Sequence, residues 1–163
     1  MFSCYKGRKR GGYRCHVRLP GGARCGRTIG LKREWQEAVL RGSIDELQRL
    51  LASGTDIDAR NGKGQTSLML AAAEGHAPVV EWLAERGADL DHTAKYGLSA
   101  LMLAVVRGHV DVVRKLTGAG ASVSLRGTGA PGFSENTALD LAVARGDLEM
   151  VEILLSAARR RGT

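Results

Sequence analysis

Apolar residues along this chain recur with a helical period broken at regular intervals by glycine. Between residues 66 and 87, Leu68, Ala71 and Ala72 make one apolar stripe at i, i+3, i+4 spacing. Gly75 ends that run, and Val79, Val80 and Leu83 make a second stripe that stops at Gly87. The pattern predicts two short helices joined by a tight turn. Thr66 supplies a hydroxyl to cap the first helix, Pro78 falls in the first turn of the second, and Gly87 suits a left-handed C-terminal cap.

The same pattern returns. "TSLMLAAAEGH" begins at residue 66 and "SALMLAVVRGH" at residue 99, a period of 33. One step back reaches Gly42-Ser43, and the next match forward is Gly146-Asp147, now 38 residues on. Five residues are inserted there, within "LRGTGAPGFSE". Four copies result, at about 31–60, 61–93, 94–131 and 132–163. Ala38, Ala71, Ala104 and Ala142 share one register position, where a small side chain lets helices approach closely; Leu50, Leu83, Leu116 and Leu154 share another. A hairpin this short cannot bury its apolar stripes alone, so stacking of neighbours must create the core.

The pattern G-x-T-x-L-x-L-A-A-x-x-G-H-x-x-V-V-x-x-L-x-x-x-G-A-D, from Gly64 to Asp89, resembles the ankyrin repeat. The resemblance covers everything after residue 30. It implies an all-α solenoid of four helix-turn-helix units with short β-hairpin loops. The family's Thr-Pro-Leu-His tetrapeptide stands here as Thr66-Ser67-Leu68-Met69, Ser99-Ala100-Leu101-Met102 and Thr137-Ala138-Leu139-Asp140, so its prolines are missing and the helix starts should weaken slightly. Both end copies should act as caps. Glu37 replaces the Leu70 and Leu103 of the inner copies on a face with no preceding neighbour, and the last copy runs into "SAARRRGT". Arginines there complement the negative end of the helix dipole.

Charge divides the chain. The net is +7, but residues 1–33 hold ten Lys or Arg and no acid, whereas the remainder holds 14 bases and all 17 acids. Residues 1–30 read as a disordered, Gly- and Arg-rich basic tail joined to a mildly acidic repeat domain at 31–163. Three readings of the tail stay open: a solvated extension, a nucleic-acid or other polyanion binder with Tyr5 and Tyr13 as stacking groups, and an organelle-targeting leader. Cys4, Cys15 and Cys25 all lie in it, beside His16. Their spacing lacks a Cys-x-x-Cys knuckle, which favours free thiols over a zinc site. An odd cysteine count and a cysteine-free body suit a reducing, cytoplasmic setting.

No catalytic set emerges: Gly-x-Ser-x-Gly, His-Glu-x-x-His and a phosphate-binding glycine loop are all missing. His76 and His109 fall between helices and should bond nearby backbone. The chain is therefore read as a non-enzyme, with no cofactor and no metal. It has no apolar run long enough for a membrane helix.

The resemblance implies protein binding, by an adaptor, scaffold or inhibitor. Two strips of a concave face would serve, the hairpin tips and the exposed edge of each first helix. Carried over by register, they comprise Arg41, Glu74, Arg107 and Arg145 on the helix edges and Arg60, Thr93 and Arg126 before the tips. Lys63, Gln65, Lys95, Tyr96 and Leu98 form the tips themselves. Seven bases and one acid gather there. The strip reads either as a plainly solvated surface or as a groove for an acidic protein segment, with Tyr96 and Leu98 as apolar anchors. A monomer is expected.

Overall fold

The computed structural model describes residues 33–128 and 135–161. The tail at 1–30, its cysteines and most of the insertion, including Phe133, lie outside the described residues.

Among the described residues eight α-helices follow in order: α1 Arg33–Arg41, α2 Ile44–Ala52, α3 Ser67–Glu74, α4 Ala77–Glu85, α5 Ala100–Arg107, α6 Val110–Ala119, α7 Ala138–Arg145 and α8 Leu148–Arg161. They form four antiparallel pairs. The first helices stack in one row, α1 on α3 on α5 on α7, and α4, α6 and α8 stack in a second row behind them.

Thr66 caps α3 as expected, and Ser99 and Thr137 cap α5 and α7 at the equivalent positions. Thr66, Ser99 and Thr137 sit in extended backbone, and each hydroxyl accepts the N–H three residues on, at 3.4 Å from Met69, 3.3 Å from Met102 and 3.3 Å from Asp140. At Thr137 the cap is reciprocal, because the Asp140 carboxylate accepts both the Thr137 N–H (2.8 Å) and its hydroxyl (2.7 Å). These bonds hold the Asp140 carboxyl below the ordinary aspartate value of 3.8, with Arg126 adding a smaller pull in the same direction. The first helices of the second and third pairs stop at Gly75 and Gly108, both left-handed. Gly75 is also held by space: a Cβ there would lie 2.7 Å from the His109 ring.

The core is a continuous aliphatic seam. Ala38, Ala71, Ala104 and Ala142 are all fully buried, as are Leu83 and Leu116, with Leu154 nearly so. Each buried leucine contributes about 1.5–3 kcal/mol over an exposed one. Leu50 is only half-buried, because α2 packs on α1 and makes little or no contact with α4. Trp35 closes the first interface. Its register partner in the next copy is Leu68, but the indole brings a buried N–H, which donates to Ser67 Oγ. Ser67 thus fills the family's proline position with an acceptor that proline could not offer. Glu37 is exposed, as a leading cap requires.

The trailing end differs from the cap expected there: Val143, Leu148 and Leu155 are exposed on α7 and α8. Arg159 and Arg160 lie in the last turn of α8, where positive charge complements its dipole, yet these aliphatic side chains stay exposed.

The loops between copies are tight turns rather than β-hairpins. Among the described residues the sole ladder contact there is one antiparallel bridge, Thr93 with Ser99. The reason is length: Ser99 already caps α5, which leaves no residues for a strand. Each loop tip is instead closed by a backbone bond between register-equivalent residues, Asn61 N–H to Gln65 O (3.0 Å), Ala94 to Leu98 (3.0 Å) and Gly127 to Asn136 (3.1 Å). The third encloses the five-residue insertion and is otherwise the same bond.

Candidate binding face

The fingers stack as the helices do. The N–H of Lys95 donates to Lys63 O (3.4 Å), and Thr128 repeats the bond one copy on, to Tyr96 O (2.8 Å). His92 adds a contact of Nε2 with Gly64 O at 3.1 Å. Tyr96 adopts φ 67°, which few non-glycine residues do, and presents its ring to solvent at 52% exposure. Gly97 follows at φ 69°, where a Cβ would meet Thr128 at 2.7 Å. Close stacking of the fingers therefore fixes the outward pose of Tyr96.

Below that ring is a shallow, mostly apolar pocket of about 160 Å³. The first two fingers and the face of α5 line it: Lys63, Gln65, Ala94, Lys95, Tyr96, Leu98 and Leu103. Leu98 and Leu103 are partly buried against the core, so its floor is fixed. Arg107 lies one helical turn beyond Leu103 on α5 and is exposed.

The structure sorts the seven bases of the sequence-derived strip. Arg41 pairs with Glu46 at 3.0 Å and also donates to Glu37 O. Arg126 donates to Glu135 O at 3.0 Å. Arg145 Nη1 donates to Val106 O at 2.8 Å. Arg60, Lys63, Lys95 and Arg107 are exposed and make no ion pair among the described residues. Four of the seven bases are thus available to an anionic partner, and two of them, Lys63 and Lys95, line the pocket. Glu74 is exposed at the edge of α3.

Two ladders were invisible in the residue types alone. The first runs between helix pairs: His76 Nε2 meets Leu40 O at 2.8 Å and His109 Nε2 meets Ala73 O at 3.1 Å. Both histidines thus bond backbone, as expected, but across copies rather than within one. The second is a relay of carboxylates along the loops. Asp56 accepts the N–H of Asp58, Asp58 that of Asp89 (3.0 Å), Asp89 that of Asp91, and Asp91 that of Ser122 (2.6 Å). Its signal in the sequence is Asp-x-Asp at 56–58 and 89–91, then Ser-x-Ser at 122–124. These acids thus tie successive loops together. On the outer row, Lys115–Glu81 (2.6 Å) and Arg114–Glu149 (2.7 Å) join successive copies. Both pairs are exposed, so each is worth about 0–1 kcal/mol.

No group of three or more His, Cys, Asp or Glu side chains converges among the described residues. Cys4, Cys15, His16 and Cys25 lie outside them. No described helix is long and apolar enough to cross a membrane.

Family comparison agrees with this geometry. The family model of ankyrin repeats in three copies matches residues 35–127, and that of a single ankyrin repeat matches residues 134–160. The chain belongs to the ankyrin repeat family. Ankyrin repeats are generally modules of protein–protein interaction rather than catalysis. Against curated proteins, the chain finds no match. In this ankyrin stack, the pocket under Tyr96 brings together the fingers and the inner helix, each of which supplies part of its wall.

Proposed function

We propose that this ankyrin repeat chain is a non-catalytic binding module, an adaptor, scaffold or inhibitor, that holds an acidic segment of a partner protein along its concave face. The supporting observation is the pocket of Tyr96, Leu98 and Leu103 bordered by unpaired Lys63 and Lys95, with Arg107 one turn away. An apolar side chain of the partner fills the pocket while neighbouring carboxylates meet the bases. The backbone bonds between fingers preorganise the surface, which lowers the entropy lost on binding. A cytoplasmic setting is part of this reading and rests on a repeat body without cysteine.

The test is fluorescence anisotropy with acidic peptides that carry one leucine or tryptophan. Simultaneous Lys63→Glu, Lys95→Glu and Arg107→Glu substitution is expected to weaken capture by about tenfold or more and to flatten its salt dependence. Equal affinity for a folded triple variant would refute the groove.

A second reading rests on the tail, with its ten bases and no acid in residues 1–33. Residues 1–30 would supply nucleic-acid affinity to which the repeats add protein partners. Removing 1–30 should abolish DNA or RNA binding at fixed salt; retained binding would sink this reading.

A further inference from the structure

The two ends of the stack are not alike. At the leading end, α1 exposes Glu34 and Glu37, the latter tied to Arg33 at 2.8 Å, together with Leu40 at 40% exposure. At the trailing end, aliphatic positions that are buried in the earlier copies are exposed. Val143 is 59% exposed, yet its register equivalents Val39, Ala72 and Val105 are all at 0%. Val151 is half-buried where Leu47, Val80 and Val113 are fully buried, and Leu139 is half-buried where Trp35, Leu68 and Leu101 are buried. Leu148 and Leu155 add 76% and 39% exposure on α8. In the first three copies the next helix pair covers these positions. Among the described residues nothing covers them in the fourth.

We propose that a second copy of this chain covers them, trailing face to trailing face about a two-fold axis, in place of the monomer expected from sequence. The face is the aliphatic half of an interface that the chain makes three times, so an aliphatic, alanine-bearing helix pair is its complement. A head-to-tail arrangement would press the Arg33–Glu37 pair onto the apolar face and desolvate it. Two trailing faces carry no such cost, and a two-fold contact closes where a head-to-tail one would propagate.

Charge on α8 favours the same geometry. The helix spans Leu148–Arg161, while α6 ends at the register equivalent of residue 157. The additional turn carries exposed Arg159, whereas exposed Glu152 lies in the first half, one turn after Leu148; Glu149 is taken up by Arg114 of α6. Antiparallel apposition of two α8 helices sets Glu152 of each against Arg159 of the other, with Leu148, Val151 and Leu155 at i, i+3, i+7 as the seam between them.

The test is the mass of the full chain in solution by light scattering and sedimentation, followed from low to high micromolar concentration. Reversible approach to twice the chain mass is expected. Val143→Asp and Leu155→Asp should each return the protein to a single chain without loss of helical content. Glu152→Arg should weaken the dimer about tenfold, and Arg159→Glu added to it should restore the dimer. A wild-type mass that stays at one chain throughout overturns the proposal. So does a mass that climbs past two chains, which means head-to-tail growth, or a dimer that survives Val143→Asp.

Discussion

Arg145 reaches back across the last interface to donate to the carbonyl of Val106 at 2.8 Å. The carbonyl is the register equivalent of Leu40 O and Ala73 O, which His76 and His109 engage. The fourth copy has Asp147 at the histidine position, and an arginine two residues earlier takes over its bond. Arg145→Ala is therefore expected to lower stability by about 1 kcal/mol, read from chemical denaturation midpoints. Adding Asp147→His should recover part of the loss, although Asp147 also caps α8 through the Met150 N–H. No recovery would mean that the carbonyl does not need a donor.

Ser67 carries a sharper test. Its hydroxyl accepts the buried Trp35 N–H, so Ser67→Ala should leave that donor orphaned and cost about 1–3 kcal/mol. Ser67→Pro would restore the proline of the family tetrapeptide and pre-organise the helix start, yet here it should destabilise for the same reason. A gain in melting temperature with proline would show that the indole finds another acceptor.

Thr55 is buried, and its hydroxyl has no hydrogen-bond partner. Its register equivalents are Ala88 and Ala121. Thr55→Val keeps the volume and removes the unsatisfied group, so it should stabilise by about 1 kcal/mol. Thr55→Ser, which keeps the hydroxyl and loses a methyl, should not. Paired urea titrations of the two variants distinguish the cases.

The capping box of α7 predicts a pH dependence. The folded Asp140 carboxyl titrates below its ordinary value of 3.8, so the unfolded chain takes up the proton first as pH falls. The stabilisation is fully present above 3.8 and disappears as pH drops through the lower, folded value. Asp140→Asn should be less stable than wild type at neutral pH, with the gap between their urea midpoints closing only below 3.8. A gap that is independent of pH would mean that the charge of Asp140 contributes nothing.

The helix pairs, their threonine and serine caps and the buried alanine position were legible because each depends on local chemistry repeated every 33 residues. The Arg145 clamp was not, since a register argument compares equivalent positions and this bond moved by two. Trp35 and Ser67 are 32 residues apart, and neither residue type is repeated at its register position, so their pairing appears only once the helices are packed. Register placed seven bases on one face, but it could not tell which had partners: Arg41 finds Glu46, and Arg126 finds a finger carbonyl. The β-hairpins implied by the family resemblance shrank to turns because the caps begin immediately after the fingers.

The bond that shuts each fingertip is made by the first and last residues of the finger, and it is the same bond whether three residues lie between them or eight. The insertion leaves that latch unchanged, at 3.1 Å against 3.0 Å in the first two fingers. The helices that carry the third finger thus accommodate a longer loop without a compensating change of their own.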